Sequence, residues 1–190
     1  MPANFYSQAI HKIRDKNTTT MISIDSDGSF LKSAISAGPD LIKPNIKELE
    51  RLISRKIGNL EQLRNAAEKF LNSGISFVLV TMGDKGAAGF SREGYFYTRG
   101  PEIEKASSVG CGDVFLAGFA LSHSKTGQFK ESLRFAAACG TAKAAKPFTD
   151  IPQPYEVEKI LKRTFVVNFA DLDEKTEISN LQQLPVRESA

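Results

Sequence analysis

The run Ser107-Ser108-Val109-Gly110-Cys111-Gly112-Asp113 leads straight into the apolar stretch Val114-Phe115-Leu116-Ala117-Gly118-Phe119. Two glycines flank one small residue where a helix begins. The first turn of a helix leaves N–H groups without intrahelical partners, and with the dipole behind them they favour an anion. Glycine lets a phosphate approach such a turn with no Cβ in the way. An ordinary aspartate is ionised at neutral pH, so Asp113, in the same turn, could take a proton from a hydroxyl. An anion hole beside a base is what phosphoryl transfer to an alcohol requires. On its own the pattern is more simply read as a Gly-rich turn with an acidic residue favouring the helix start.

Two other motifs carry the same ambiguity. In Lys43-Pro44-Asn45 with Glu48, the lysine could meet a phosphate and the glutamate could hold a magnesium ion through water. The same residues also make a good helix start, with Asn45 as N-cap and Glu48 completing a capping box. In Thr81-Met82-Gly83-Asp84-Lys85-Gly86, the glycines could let a nucleotide lie against the backbone at a strand's C-terminal end. They could equally serve the backbone of a hairpin loop. His11 and His123 fall on expected helices and read as surface or boundary residues. Cys111 and Cys139 belong to no metal-ligand pattern and favour no disulfide, so a reducing cytoplasm is the expected setting.

The elements that must position these residues follow from periodicity. Residues 4–15 read as an amphipathic helix, Met21–Asp25 as a short strand, and Gly28 to about Ala37 as a second helix closed by Gly38-Pro39. Leu41-Ile42 is another short strand, followed by helices over 46–55 and 60–72. Ile75–Thr81 is a buried strand by its β-branched and aromatic content. Residues 86–91 and 94–98 form a hairpin. Helices follow from about Cys111, from Phe129 to Ala145, and over 154–163. The small residues Ala136–Ala142 suit close helix packing, or a flat ring resting on them. Phe115 and Phe119, four apart, read as core. Phe165–Phe169 is a candidate edge strand, and Asp171–Ala190 a polar tail expected to be loosely ordered.

Strands alternating with helices predict an α/β fold, part of a doubly wound, mostly parallel sheet with helices on both faces. Residues 1–164 form its body and 165–190 the edge strand and tail. The chain opens on a helix with no strand before it. With 190 residues, 41% hydrophobic and 25% charged, it has the composition of one soluble globular domain. A net charge of +3 with scattered basic residues gives no nucleic-acid stripe. No stretch reads as a signal peptide or a membrane span.

The order of the three motifs says more than any one of them. Pro39-Asp40-Leu41-Ile42-Lys43-Pro44-Asn45-x-x-Glu48, then Thr81-x-Gly83-x-x-Gly86, then Gly110-Cys111-Gly112-Asp113 closely resembles the C-terminal half of ribokinase-like, phosphofructokinase-B-type carbohydrate kinases. The wording is most similar to the 1-phosphofructokinase and tagatose-6-phosphate kinase branch. The resemblance runs from about Pro2 to Leu161. It implies ATP and Mg2+ as cofactors, with Asp113 as catalytic base and the N–H groups of Gly110, Cys111 and Gly112 on the transferring phosphoryl. It further implies Lys43, Asn45, Thr81, Gly83 and Gly86 on ATP, Glu48 on magnesium, and the 136–142 helix with Cys139 bordering the adenine. Cys111 replaces the family's usual alanine, and Phe148 and Asp150 stand where glycine is usual.

The resemblance also implies that the family's early strands, sugar-contacting residues and β lid lie outside this chain. The function expected is therefore ATP-dependent phosphorylation of a phosphorylated ketohexose, of the fructose 1-phosphate or tagatose 6-phosphate type. This chain would supply the ATP site and base, and would be inactive without a separate N-terminal half or a homo-oligomer partner. A non-catalytic remnant or regulatory nucleotide-binding subunit is the rival reading. Retention of Asp113 and its flanking glycines favours the kinase, since a binding module has no need of the base. A plain dinucleotide-binding domain fits poorly, because no strand–Gly-x-Gly-x-x-Gly–helix unit is present.

Overall fold

The structure is a computed structural model that describes residue 2 and residues 4–184. Three short strands pair in parallel: β1 (Ser23–Ile24) with β2 (Leu41–Ile42), and β2 with β3 (Phe77–Thr81). Parallel neighbours need crossover connections. Here α2 (Gly28–Ser36) supplies the first, and α3 (Ile46–Ile53) with α4 (Leu60–Asn72) the second. α1 (Phe5–Lys16) precedes β1 and packs on α2 through an edge-to-face contact of Tyr6 with Phe30. β4 (Ala87–Ser91) and β5 (Gly94–Arg99) form a hairpin that pairs antiparallel with β3, and β6 (Phe165–Asn168) closes the far edge against β5.

The sheet order is β1-β2-β3-β4-β5-β6. The doubly wound, parallel character expected from strand–helix alternation is carried by β1–β3. The hairpin and β6 make the rest antiparallel, so the sheet as a whole is mixed. Alternation along the strands sends side chains to two faces. Ile42, Val78, Val80 and Phe90 pack with Leu31, Leu49 and Leu63 of α2–α4. Leu41, Leu79 and Phe96 pack with Phe115, Phe119, Phe129 and Leu133, which lie on α5 (Cys111–Thr126) and α6 (Phe129–Ala144).

α5 and α6 approach closely, and two glycines permit it. A Cβ on Gly118 would lie 2.8 Å from Cys139 Sγ, and one on Gly140 would lie 3.3 Å from the Cys111 carbonyl oxygen. α7 (Pro154–Leu161) covers the end of α6, with Val157 packed in the cluster of Ala138, Cys139 and Ala142.

The expectation of a loosely ordered tail fails for residues 171–184. Ile178 and Leu181 are three apart on a 3-10 helix spanning Ile178–Gln183, where residues at that spacing eclipse. Both are buried in the larger core cluster. The Leu60 amide donates to the Thr176 carbonyl at 3.1 Å and the Ile178 amide to the Gly58 carbonyl at 2.8 Å. Arg64 pairs with Glu174. Residues 185–190, the rest of that tail, lie outside the described residues.

Candidate functional site

The parallel register sets Ile24 beside Ile42 and Ile42 beside Val78, and Asn45 bridges to Thr81. The residues just past the three strands therefore gather along one edge of the sheet: Asp25, then Lys43 to Asn45, then Thr81. The C-terminal edge of parallel strands is where open α/β sheets bind ligands. The start of α5 faces this edge. Between them lies a cleft of ≈ 760 Å³ lined by Lys43, Asn45, Glu48, Thr81, Gly83 and Gly86 on one side and by Gly110, Cys111, Gly112 and Asp113 on the other.

Gly110 adopts the left-handed conformation, φ 74° and ψ 1°, and caps α5. The first N–H of the helix to be satisfied within it is that of Val114, which donates to the Gly110 carbonyl at 2.9 Å. The Cys111 amide has only a 3.5 Å contact with the Ser108 carbonyl. Among the described residues the amides of Gly112 and Asp113 have no backbone or side-chain acceptor. The turn thus offers donors and a positive dipole end to the cleft. The Asp113 carboxylate folds back over it, with Oδ2 4.0 Å from the point a Gly110 Cβ would occupy.

Lys43 is 4% exposed, and a desolvated ammonium needs a counter-charge. Asp25 provides it: Nζ and Oδ2 are 2.8 Å apart, with the carboxylate 28% exposed. A Cβ on Gly112 would sit 3.0 Å from Lys43 Nζ. Glycine at this position therefore lets the lysine ammonium reach the first turn of α5. The unpartnered amides, the Asp113 carboxylate and the Lys43 ammonium meet in one place.

Asn45 and Glu48 form the capping box. The Asn45 side chain accepts from the Glu48 amide at 3.0 Å and Glu48 Oε2 accepts from the Asn45 amide at 2.8 Å. Glu48 also lines the cleft, so capping the helix does not take it away from the cleft. Gly83 and Gly86 have positive φ, 66° and 87°. A Cβ on Gly86 would lie 2.3 Å from the Thr98 carbonyl oxygen, so the hairpin demands glycine there whatever binds beside it.

Cys139 is not brought to the cleft. It is buried against Gly118 of α5, on the side of α6 that packs rather than the side that faces the site. Helix periodicity separates them: Ala137, Gly140, Thr141 and Ala144 line the cleft instead. Burial pushes the Cys139 thiol up to about 11. Burial also raises Cys111, against the lowering fields of Lys143 and Lys105.

Sequence reading missed Asp25, Arg99, Lys105 and Gln182, all of which line the cleft. Asp25 had a signal: two neighbouring apolar strands each end on a charge, of opposite sign. Arg99 and Gln182 had none, since their place depends on the packed tail. Arg99 holds that tail by donating to the Leu181 and Leu184 carbonyls at 3.1 and 3.4 Å.

The pfkB family carbohydrate kinase profile matches residues 2–155. The chain is 32% identical over 139 residues to the ATP-dependent 6-phosphofructokinase isozyme 2 of Escherichia coli, covering 72% of this chain and 45% of that protein. It is 30% identical to the 1-phosphofructokinase of Borreliella burgdorferi, covering 77% and 48%. It is 27% identical to the tagatose-6-phosphate kinase of Staphylococcus epidermidis, covering 86% and 53%. The crystal structure of Escherichia coli phosphofructokinase-2 in complex with substrates and products superposes with a TM-score of 0.79 at 28% identity, over 85% of this chain and 52% of that one. The chain spans about half the length of the curated relatives it matches. Family profile, relatives and fold agree: the chain belongs to the pfkB family of carbohydrate kinases.

Proposed function

We propose that this chain supplies the nucleotide site and catalytic base of an ATP-dependent kinase acting on a phosphorylated ketohexose, of the fructose 1-phosphate or tagatose 6-phosphate type. The observation that carries the reading is the convergence of Asp113, the unpartnered amides of the α5 first turn and the Lys43 ammonium on one cleft. ATP lies along the strand ends over Thr81, Gly83 and Gly86, with its terminal phosphate at the start of α5. The helix face carrying Ala137, Gly140 and Thr141 borders the base.

Asp113 takes the proton of the acceptor hydroxyl as the new O–P bond forms. The bond from the γ-phosphorus to the bridging oxygen breaks, and ADP leaves. The amides of Gly110, Cys111 and Gly112, with Lys43, meet the charge on the transferring group. Magnesium fits the oxygen set available, because it characteristically uses one or two carboxylates together with phosphates and water. Glu48 and Asp25 are two of the carboxylates that line the cleft. Among the described residues there is no cluster of three acidic, histidine or cysteine ligands for a metal. Bound there, the ion would screen the phosphate charges.

The acceptor sugar and any partner chain belong to the same proposal. The test is turnover with a ketohexose phosphate, in the presence of whatever further chain completes the enzyme. Asp113→Asn should lower the rate by roughly 10²–10⁴-fold, the contribution of a general base, and leave ATP affinity unchanged. Unaltered turnover would remove Asp113 from the mechanism.

A further inference from the structure

Lys143, near the end of α6, is 2% exposed and forms no ion pair among the described residues. Its ammonium donates to the Phe148 carbonyl at 2.7 Å. Among the described residues Phe148 is one of two non-glycine residues with positive φ, at 39°, and it is 80% exposed. The loop after α6 therefore turns through an unfavourable backbone conformation and presents a carbonyl, rather than a side chain, to the lysine.

A buried ammonium held by one carbonyl is costly for stability alone. Its surroundings suggest what it serves. Lys143 Cε lies 3.5 Å from the point a Gly110 Cβ would occupy. The lysine thus sits beside the residue that caps α5, on the side where Asp113 Oδ2 lies 4.0 Å from the same point, and it is not among the residues that line the cleft. Its field reaches the first residue of that helix, where it opposes the upward shift of the Cys111 thiol. The same end of α6 fixes the approach to the helix. The Ala144 carbonyl accepts from the Ala106 and Ser107 amides at 2.8 and 3.2 Å.

We propose that Lys143 is a positioning residue for phosphoryl transfer: a built-in cation, locked by the Phe148 carbonyl beside Gly110, that strengthens the α5 anion hole without touching the ligand. Lys43 reaches the turn at Gly112, and Lys143 reaches it at Gly110. The inference rests on the proposed ATP site.

The test compares magnesium-ATP with AMP, by titration calorimetry, on the full chain and on Lys143→Met. AMP shares the base, ribose and α-phosphate but has no group to place at the start of α5. For unit charges roughly 8 Å apart in a medium of effective dielectric about 20, Coulomb's law corresponds to about a thirtyfold change in affinity. Lys143→Met should therefore weaken ATP by roughly ten- to thirtyfold while AMP binds as before. Its melting temperature without ligand should be unchanged or higher, since a buried charge has gone. A purely structural lysine would give the opposite pattern, with a lower melting temperature and equal losses for ATP and AMP. That result, or unchanged ATP affinity in the folded variant, overturns the proposal. If Lys143→Met does not fold by circular dichroism, Lys143→Gln, which keeps a donor for Phe148, decides on the same ATP-to-AMP comparison. Failure of the wild-type chain to bind either nucleotide would instead bring down the ATP-site reading, and this inference with it.

Discussion

Lys43→Met removes the one buried cation that lines the cleft among the described residues. Two unit charges about 4 Å apart interact by ~4 kcal/mol at an effective dielectric near 20. Asp25 is 28% exposed, so solvent screening reduces the pair's worth to ~2 kcal/mol. The substitution acts twice on a bound phosphate, losing an attraction and leaving the Asp25 carboxylate unopposed. Together these should weaken ATP by about 2–3 kcal/mol, or roughly 30- to 150-fold. The fold itself should lose ~1–3 kcal/mol, less than for a fully buried pair because Asp25 reaches solvent. Titration with ATP in the absence of magnesium isolates the electrostatic effect, and urea denaturation gives the stability change. Asp25→Asn is the control. It removes the repelling carboxylate and should retain or strengthen metal-free ATP binding. If both variants fold and weaken ATP alike, the pair only shapes the site and the electrostatic reasoning is refuted.

Other consequences are local. Gly86→Ala should lose several kcal/mol of stability, since its Cβ would meet the Thr98 carbonyl oxygen at 2.3 Å and overpacking against fixed backbone adds to the positive-φ penalty; a urea midpoint near wild type would contradict the hairpin geometry. Leu181→Ala should cost ~2–5 kcal/mol as a large-to-small change in a core, because Leu181 is fully buried; a loose tail would show almost none. Both thiols hold their protons more tightly in the folded chain than the 9.0 of an ordinary thiol, Cys139 up to about 11. Their contribution to stability is thus complete below about pH 8.5 and is lost as pH rises through the folded values. Iodoacetamide should label half-buried Cys111 before Cys139, with both rates climbing above about pH 9; rapid labelling of Cys139 at neutral pH would refute its placement.

The parallel half of the fold was legible because each strand is a short apolar run closed by a turn signal, and each crossover helix carries its own periodicity. The hairpin followed from Arg92-Glu93-Gly94 between two β-rich segments. The site was legible where glycine and charge coincide, at Gly110–Asp113 and Lys43–Glu48. Asp25 left one faint signal, two apolar strands ending on opposite charges; the pairing of Ile24 with Ile42 is what sets it beside Lys43. Cys139 was misplaced because a run of small residues offers no contrast between the faces of α6. Lys143 was hidden by the same uniformity. Ile178 and Leu181 went unread because two apolar residues three apart in a polar stretch match a 3-10 turn, too short for a helical or strand period.

The central claim is that the start of α5 and the ends of β1–β3 form one nucleotide phosphate site. Titration calorimetry of the purified chain with magnesium-ATP tests it most directly, paired with Gly112→Ala, whose new Cβ would stand 3.0 Å from Lys43 Nζ. The account predicts saturable binding by the wild-type chain and weaker binding by the variant. No binding by a demonstrably folded chain, or equal affinity in the two proteins, would contradict it.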